Sequence, residues 1–221
     1  KFKPNCLVVF NEETKAYVHS IAPKQRVEII PNGVNLGKFS PEGEKFDHGL
    51  NGKVALTVGA LNKQNHKRID LAIEAVSQLN DVSLLICGDG PDVQFFADLC
   101  EEKLGKGRFK IVKVDFADIP KVYRSADVFT LPSVDEPFGR VYLEAMASGL
   151  PVVATDDAMR RVLIGHAGLV CDVTNPNEYA TALVAALEKE WNNAPIEQSL
   201  DFSWETVAQR YSEVIESLIP K

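Results

Sequence analysis

Leu131-Pro132-Ser133-Val134-Asp135-Glu136-Pro137-Phe138-Gly139-Arg140-Val141-Tyr142-Leu143-Glu144-Ala145-Met146-Ala147-Ser148-Gly149-Leu150-Pro151 reads as a strand end, a loop, a helix and the start of a second strand. The apolar run 126–131 ends near Leu131, and a helix is predicted from Gly139 to Ser148. Gly149 stops that helix and Pro151 behind it prevents continuation. The short apolar run 151–154 follows. Two strands joined through a helix are the building unit of a parallel sheet with right-handed crossovers.

The same alternation extends in both directions. Apolar runs at 54–59, 82–88, 109–114 and 168–172 carry no polar alternation, the habit of strands covered on both faces. Helical patterns separate them at 68–79, 93–104, 119–125 and 158–164, and two more follow at 178–191 and 204–219. In the first of these, Ile69, Ala72, Ile73 and Val76 share one face. The expected fold class is α/β, a doubly wound parallel sheet. Ligands of such sheets bind outside the carboxyl ends of the strands, so the loops after Gly59, Gly88, Val114, Leu131 and Ala154 are the ones to search. The first fifty residues differ: a strand at 5–10, a short helix at 12–20, a strand at 26–31 that ends in Pro31-Asn32-Gly33, then a loop at 39–52.

Composition narrows the function classes. With 221 residues and 45% hydrophobic content, the chain can bury one large domain, or one domain and part of another. A formal charge of -7 leaves no basic footprint for nucleic acid or an anionic membrane surface, while a small anion held by a local positive site stays open. Cys6, Cys87, Cys100 and Cys171 lie far apart and read as reduced core thiols, which points to a cytoplasmic setting. No apolar stretch reaches spanning length, and a start at Lys1 suggests a fragment of a longer protein. His19, His48, His66 and His166 show no metal-ligand spacing, and His66 reads first as a loop histidine, with an approach to phosphate as the alternative. Gly88-Asp89-Gly90-Pro91-Asp92-Val93 lacks the third glycine of a dinucleotide fingerprint.

The chemistry gathers at the 139–148 helix. Its first turn leaves backbone N–H groups unpaired, the macrodipole adds partial positive charge, and Gly139 admits close approach, so a phosphate or diphosphate fits there. Glu136 precedes that turn and Glu144 can share a face with it. Eight residues of helix rise by about 12 Å, a span suited to hydroxyls at both ends of a diphosphate, as in a nucleotide sugar. Taken singly, Glu136 and Glu144 are also compatible with a favourable N-terminal charge and a solvated helix face.

Glu136-Pro137-Phe138-Gly139 through Glu144-Ala145-Met146-Ala147 resembles the Glu-x7-Glu signature of glycosyltransferase family 4, the retaining GT-B enzymes of the glycosyl transferases group 1 type. Further motifs agree in order: Ile30-Pro31-Asn32-Gly33-Val34-Asn35, Val58-Gly59-Ala60-Leu61 followed by Lys67, Gly88-Asp89-Gly90-Pro91, Tyr123-Arg124-Ser125-Ala126-Asp127-Val128-Phe129, and Leu131-Pro132-Ser133. The resemblance covers most of the chain and implies the Rossmann-like half of a GT-B fold. Residues 1–27 would be a remnant of the N-terminal acceptor domain and linker, and 28–221 the C-terminal nucleotide-sugar-binding domain. It implies catalytic roles for Glu136, on the donor sugar hydroxyls, and Lys67, on the diphosphate. The donor would also meet Gly59, Ser133, Phe138, Gly139, Arg140 and Val141, with Glu144 on the ribose and the base near Val112. No Asp-x-Asp is present, so metal-independent donor binding without a cofactor is expected. The acceptor, a carbohydrate or a lipid-linked one, would bind through the absent domain, which would also mediate any peripheral membrane association. The isolated chain would then bind donor and transfer sugar poorly. A non-catalytic nucleotide-sugar-binding module and a UDP-sugar epimerase-like GT-B protein are the alternatives. The sequence departs from the family at Ala60, where an Arg is frequent and for which Lys63, Arg68 or Arg140 could substitute, in the short 115–120 loop, and at 155–161, which lacks a Gly-Gly turn.

Overall fold

A computed structural model describes residues 4–64 and 66–219. In chain order its elements are β1 (Leu7–Val9), α1 (Glu12–Ile21), β2 (Val27–Ile29), β3 (Lys53–Val58), α2 (Ile69–Ser77), β4 (Val82–Cys87), α3 (Val93–Leu104), β5 (Phe109–Val112) and α4 (Ile119–Arg124). There follow β6 (Val128–Leu131), α5 (Arg140–Ala147), β7 (Val152–Thr155), α6 (Ala158–Ile164), β8 (Gly168–Cys171), α7 (Pro176–Glu188), α8 (Ala194–Leu200) and α9 (Trp204–Glu216).

Strands β3 to β8 form one six-stranded sheet in the order β5-β4-β3-β6-β7-β8, every pair parallel. All of β4 is buried, as is β3 after its first residue, which is why these runs lack polar alternation. The core is Val, Leu, Ile and Ala from both faces of the sheet, with Phe129, Tyr123 and Tyr142 stacked edge-on or tilted at 5.8 Å between ring centroids. The chain lays β3, β4 and β5 outward in one direction, then returns to place β6, β7 and β8 on the other side of β3. The neighbours β3 and β6 therefore send their following loops to opposite faces, and the crevice at their carboxyl ends is the topological switch point.

The leading segment stands apart. β1 and β2 pair in parallel as a separate two-stranded sheet, with α1 between them, capped where the Asn11 side chain accepts the Thr14 N–H at 2.8 Å. Helix α1 buries none of its residues. From β2 the chain runs past Gly33, where a Cβ would lie 2.5 Å from the Trp204 ring, and Val34 bridges to the start of α9. There the Val34 N–H donates to Phe202 O at 2.8 Å and the Trp204 N–H to Val34 O at 3.2 Å.

Several expectations shift. β5 stops at Val112, two residues early, because the chain turns out through Asp115 towards α4. The helix expected from 178 begins at Pro176, where Asn175 caps it and proline needs no hydrogen-bond partner. Helix α8 was not expected, and it packs on α5. Cys87, Cys100 and Cys171 are buried, whereas Cys6, expected in a core, is only half-buried. Among the described residues no helix is long and apolar enough to cross a membrane.

Candidate functional site

Two loops meet at the switch point, one after β3 and one after β6. The Val134 N–H donates to His66 O at 2.8 Å and ties them together. The loop after β6 is shaped by positive φ at Asp135 (57°) and Gly139 (84°). It is also pinned from below. The Thr155 hydroxyl donates to Ser133 O at 2.7 Å, Arg160 donates to Glu136 O at 2.7 Å, and Tyr142 donates to Leu131 O at 2.9 Å. Arg160 is 1% exposed and pairs with Asp157 at 3.0 Å, so this buried guanidinium is neutralised while it fixes the loop backbone.

That frame holds the Glu136 carboxylate at the mouth of the crevice. Its Oε2 accepts from Lys67 Nζ, lies 3.1 Å from His66 Nε2 and accepts from Ser133 Oγ at 3.3 Å. Burial pushes the Glu136 carboxyl up, but the Lys67 ammonium and then His66 outweigh it, holding Glu136 below the usual carboxylate value. The Lys67 stem runs alongside Gly59, where a Cβ would sit 3.5 Å from Lys67 Cγ.

Helix α5 starts beside this carboxylate. Gly139 is its N-cap and gives no side-chain cap, as at α2, α3, α4 and α8 and unlike α1, α6, α7 and α9. A Cβ at Gly139 would meet the Tyr142 ring at 2.4 Å, so only glycine permits this approach. Phe138 is buried, whereas Arg140 is exposed and Val141 half-buried at the first turn. One turn on, Glu144 is half-buried and accepts from the Tyr123 hydroxyl at 2.9 Å. Burial raises its carboxyl, and Tyr123, Arg140 and Lys38 only partly offset that rise.

A cavity of about 270 Å³ opens at the ends of β3, β4 and β5, lined by Val58, Gly59, Gly88, Lys113, Val114 and Ile119. A Cβ at Gly88 would lie 1.9 Å from Gly59 O, so glycine is what lets these two loops touch. Val112, where the base contact was expected, is the last residue of β5; its carbonyl accepts from the Gly88 N–H at 2.9 Å, and the next two residues, Lys113 and Val114, line the cavity. Of the three cations expected to replace the Arg missing at Ala60, Arg68 pairs with Asp70 at 3.0 Å and Lys63 approaches Asp92 at 3.8 Å. Arg140 remains at the α5 terminus.

Sequence reasoning brought Glu136, Lys67, Ser133, Gly59 and Gly139 to one place and set Glu144 a helical turn along. It missed that His66 reaches Glu136, that Arg160 carries the loop from beneath, and that Tyr123 holds Glu144. None of these has a spacing signal, because each partner arrives from a different β-α unit. On the far side of the loop, Asn11 donates to Pro137 O at 3.3 Å and the Phe10 and Phe138 rings lie 6.1 Å apart, so the leading segment also touches the site loop. Among the described residues no three His, Cys, Asp or Glu side chains gather as metal ligands.

Residues 41–201, which include Lys67, Glu136 and Glu144, match the family "Glycosyl transferases group 1". The chain belongs to this family. Among its relatives, an uncharacterised glycosyltransferase of Methanocaldococcus jannaschii is 32% identical over 229 residues, covering 92% of this chain and 57% of that protein. A phosphatidyl-myo-inositol mannosyltransferase of Mycobacterium leprae is 33% identical over 204 residues, covering 86% and 53%. The group 1 chain thus spans about half the length of the curated relatives it matches. Among solved structures, sucrose-phosphate synthase from Thermosynechococcus elongatus aligns with a TM-score of 0.80 and 25% identity over 98% of this chain and 59% of that one. The Anabaena protein HepE in complex with UDP aligns with a TM-score of 0.81 and 21% identity over 97% and 64%. The group 1 sheet therefore has the Rossmann-like fold of GT-B domains.

Proposed function

We propose that this chain is the donor-binding half of a family 4 glycosyltransferase that moves a hexose from a nucleoside-diphosphate sugar to an acceptor with retention of configuration. The observation that carries the reading is the juxtaposition of the Lys67–Glu136 pair with the side-chain-uncapped start of α5 at the switch point of the sheet. In the proposed complex the diphosphate rests on the N–H groups of Gly139, Arg140 and Val141, where the dipole and the amides favour an anion. Lys67 turns to that diphosphate and neutralises the charge that develops as the glycosidic bond breaks. Glu136 accepts from donor sugar hydroxyls, Glu144 accepts from the ribose, and the base enters the cavity beside Gly59, Gly88 and Val114. The site is proposed to need no metal, since the helix terminus, Lys67 and Arg140 supply its positive charge.

The acceptor, carbohydrate or lipid-linked, would bind through an N-terminal domain to which residues 1–27 would belong, in a cytoplasmic enzyme. Exposed apolar side chains support a missing neighbour: Tyr17 and Ile21 on α1, and Trp204, Tyr211 and Ile215 on or at the start of α9. The test is Glu136→Ala in the protein with its acceptor domain in place. Loss of transfer by at least about 100-fold, with nucleoside diphosphate affinity changed by no more than about threefold, supports the reading. Unchanged transfer contradicts it.

A further inference from the structure

We propose that His66 is a positioning residue for Glu136, which keeps this carboxylate in register when Lys67 leaves it for the diphosphate of an arriving nucleotide sugar. The inference rests on the donor-binding reading above. Its basis is that two potential cations hold the same atom: His66 Nε2 lies 3.1 Å from Glu136 Oε2, the oxygen that also accepts from Lys67 Nζ.

The Glu136 side chain is only 11% exposed, so water is a poor replacement for a departing ammonium there. A carboxylate left unpaired in such a place either pays a desolvation penalty or swings towards solvent. Lys67 is placed to depart, because its stem runs alongside Gly59 at the ligand end of β3 and rotation about its side-chain torsions moves the charge towards α5. His66 is anchored by its backbone. Its carbonyl is bonded at 2.8 Å to the Val134 N–H, within the loop that carries Glu136, so the histidine and the carboxylate keep their relation while Lys67 moves. Ser133 contributes the remaining contact at 3.3 Å, and among the described residues Oε1 has no hydrogen-bond partner. The carboxylate is thus held by one oxygen, and the other can accept from a sugar hydroxyl. Residue 66 would act through Glu136 and touch no reacting atom.

The experiment compares calorimetric titrations of the chain with UDP and UDP-glucose, with GDP and GDP-mannose, and with ADP and ADP-glucose, for the native protein, His66→Ala and His66→Gln. In the pair that the native chain binds, His66→Ala is expected to leave the nucleoside diphosphate within about twofold and to weaken the nucleotide sugar roughly tenfold, the scale of one hydrogen bond to a charged group. His66→Gln keeps a side-chain donor and recovers most of that loss. The His66 side chain is 43% exposed and fills no core space, so both variants fold, which an unchanged thermal midpoint verifies. The proposal is overturned if His66→Ala weakens both ligands equally, weakens neither, or is not rescued by glutamine. Failure of the native chain to bind any of the six ligands overturns the donor-binding reading itself, and this proposal with it.

Discussion

Two acids eight residues apart have opposite electrostatics. Glu136 is held ionised by Lys67 and His66, whereas Glu144 is raised by burial. In the proposed complex a ribose hydroxyl donates more strongly to an ionised Glu144 than to its protonated form, so nucleoside diphosphate affinity should fall as Glu144 protonates on acidification, and Glu144→Gln should flatten that dependence. Titration calorimetry between pH 7 and pH 5 checks this. The linkage sign is also set: a carboxyl raised in the folded state costs stability once it ionises, above the unfolded value. Glu144→Gln should therefore leave the thermal midpoint at pH 7 unchanged or higher while it weakens the nucleotide. Arg160 makes the opposite case. Its removal leaves Glu136 O without its donor and Asp157 without its guanidinium, while Thr155 still donates to Ser133 O, so Arg160→Ala should cost about 3 kcal/mol in urea unfolding, and nucleotide binding should fail with it. Glu136, Glu144 and Lys67 stood out through the family resemblance, since spacing alone left both acids open to a purely structural reading. Arg160 and His66 did not, since an arginine is seldom fully buried and His66 meets Glu136 from 70 residues away.

The elements tell a similar story about local and non-local information. Helix α5 was legible to within a residue at each end because Gly139 and Gly149, both with φ of 84°, mark its limits. Gly139→Ala should cost about 1–2 kcal/mol for the left-handed backbone alone, with the Tyr142 clash added. The relief of that clash moves the first turn, so nucleotide affinity should drop more than about tenfold, measured against a thermal-unfolding control. Helix α8 was hidden by Asn192-Asn193-Ala194-Pro195, which reads as a turn, and by a polar sequence too short to display a period. The early end of β5 likewise depends on where the chain leaves the sheet after Val112, the last residue paired with β4.

At the scale of the whole molecule, the alternating apolar runs were enough to predict the doubly wound sheet, because strands buried on both faces must be apolar throughout. Strand order was not in the periodicity, since the return of the chain from β5 to β6 is a choice of tertiary packing. Thiols report on that packing. Burial pushes Cys87 to about 11 and Cys100 and Cys171 to about 12, so Cys6 alone should react with an aromatic disulfide reagent at pH 8 in the native protein, and all four after unfolding. The exposed apolar side chains on α1 and α9 are consistent with the neighbouring domain proposed above. The central claim, that a nucleoside diphosphate binds between the ends of β3 and β6 at the start of α5, is tested most directly by titrating the chain calorimetrically with UDP, GDP and ADP. The account predicts saturable binding of at least one of them that Lys67→Ala and Gly139→Ala each weaken more than about tenfold. Absence of binding by all three, or binding indifferent to both substitutions, would contradict it.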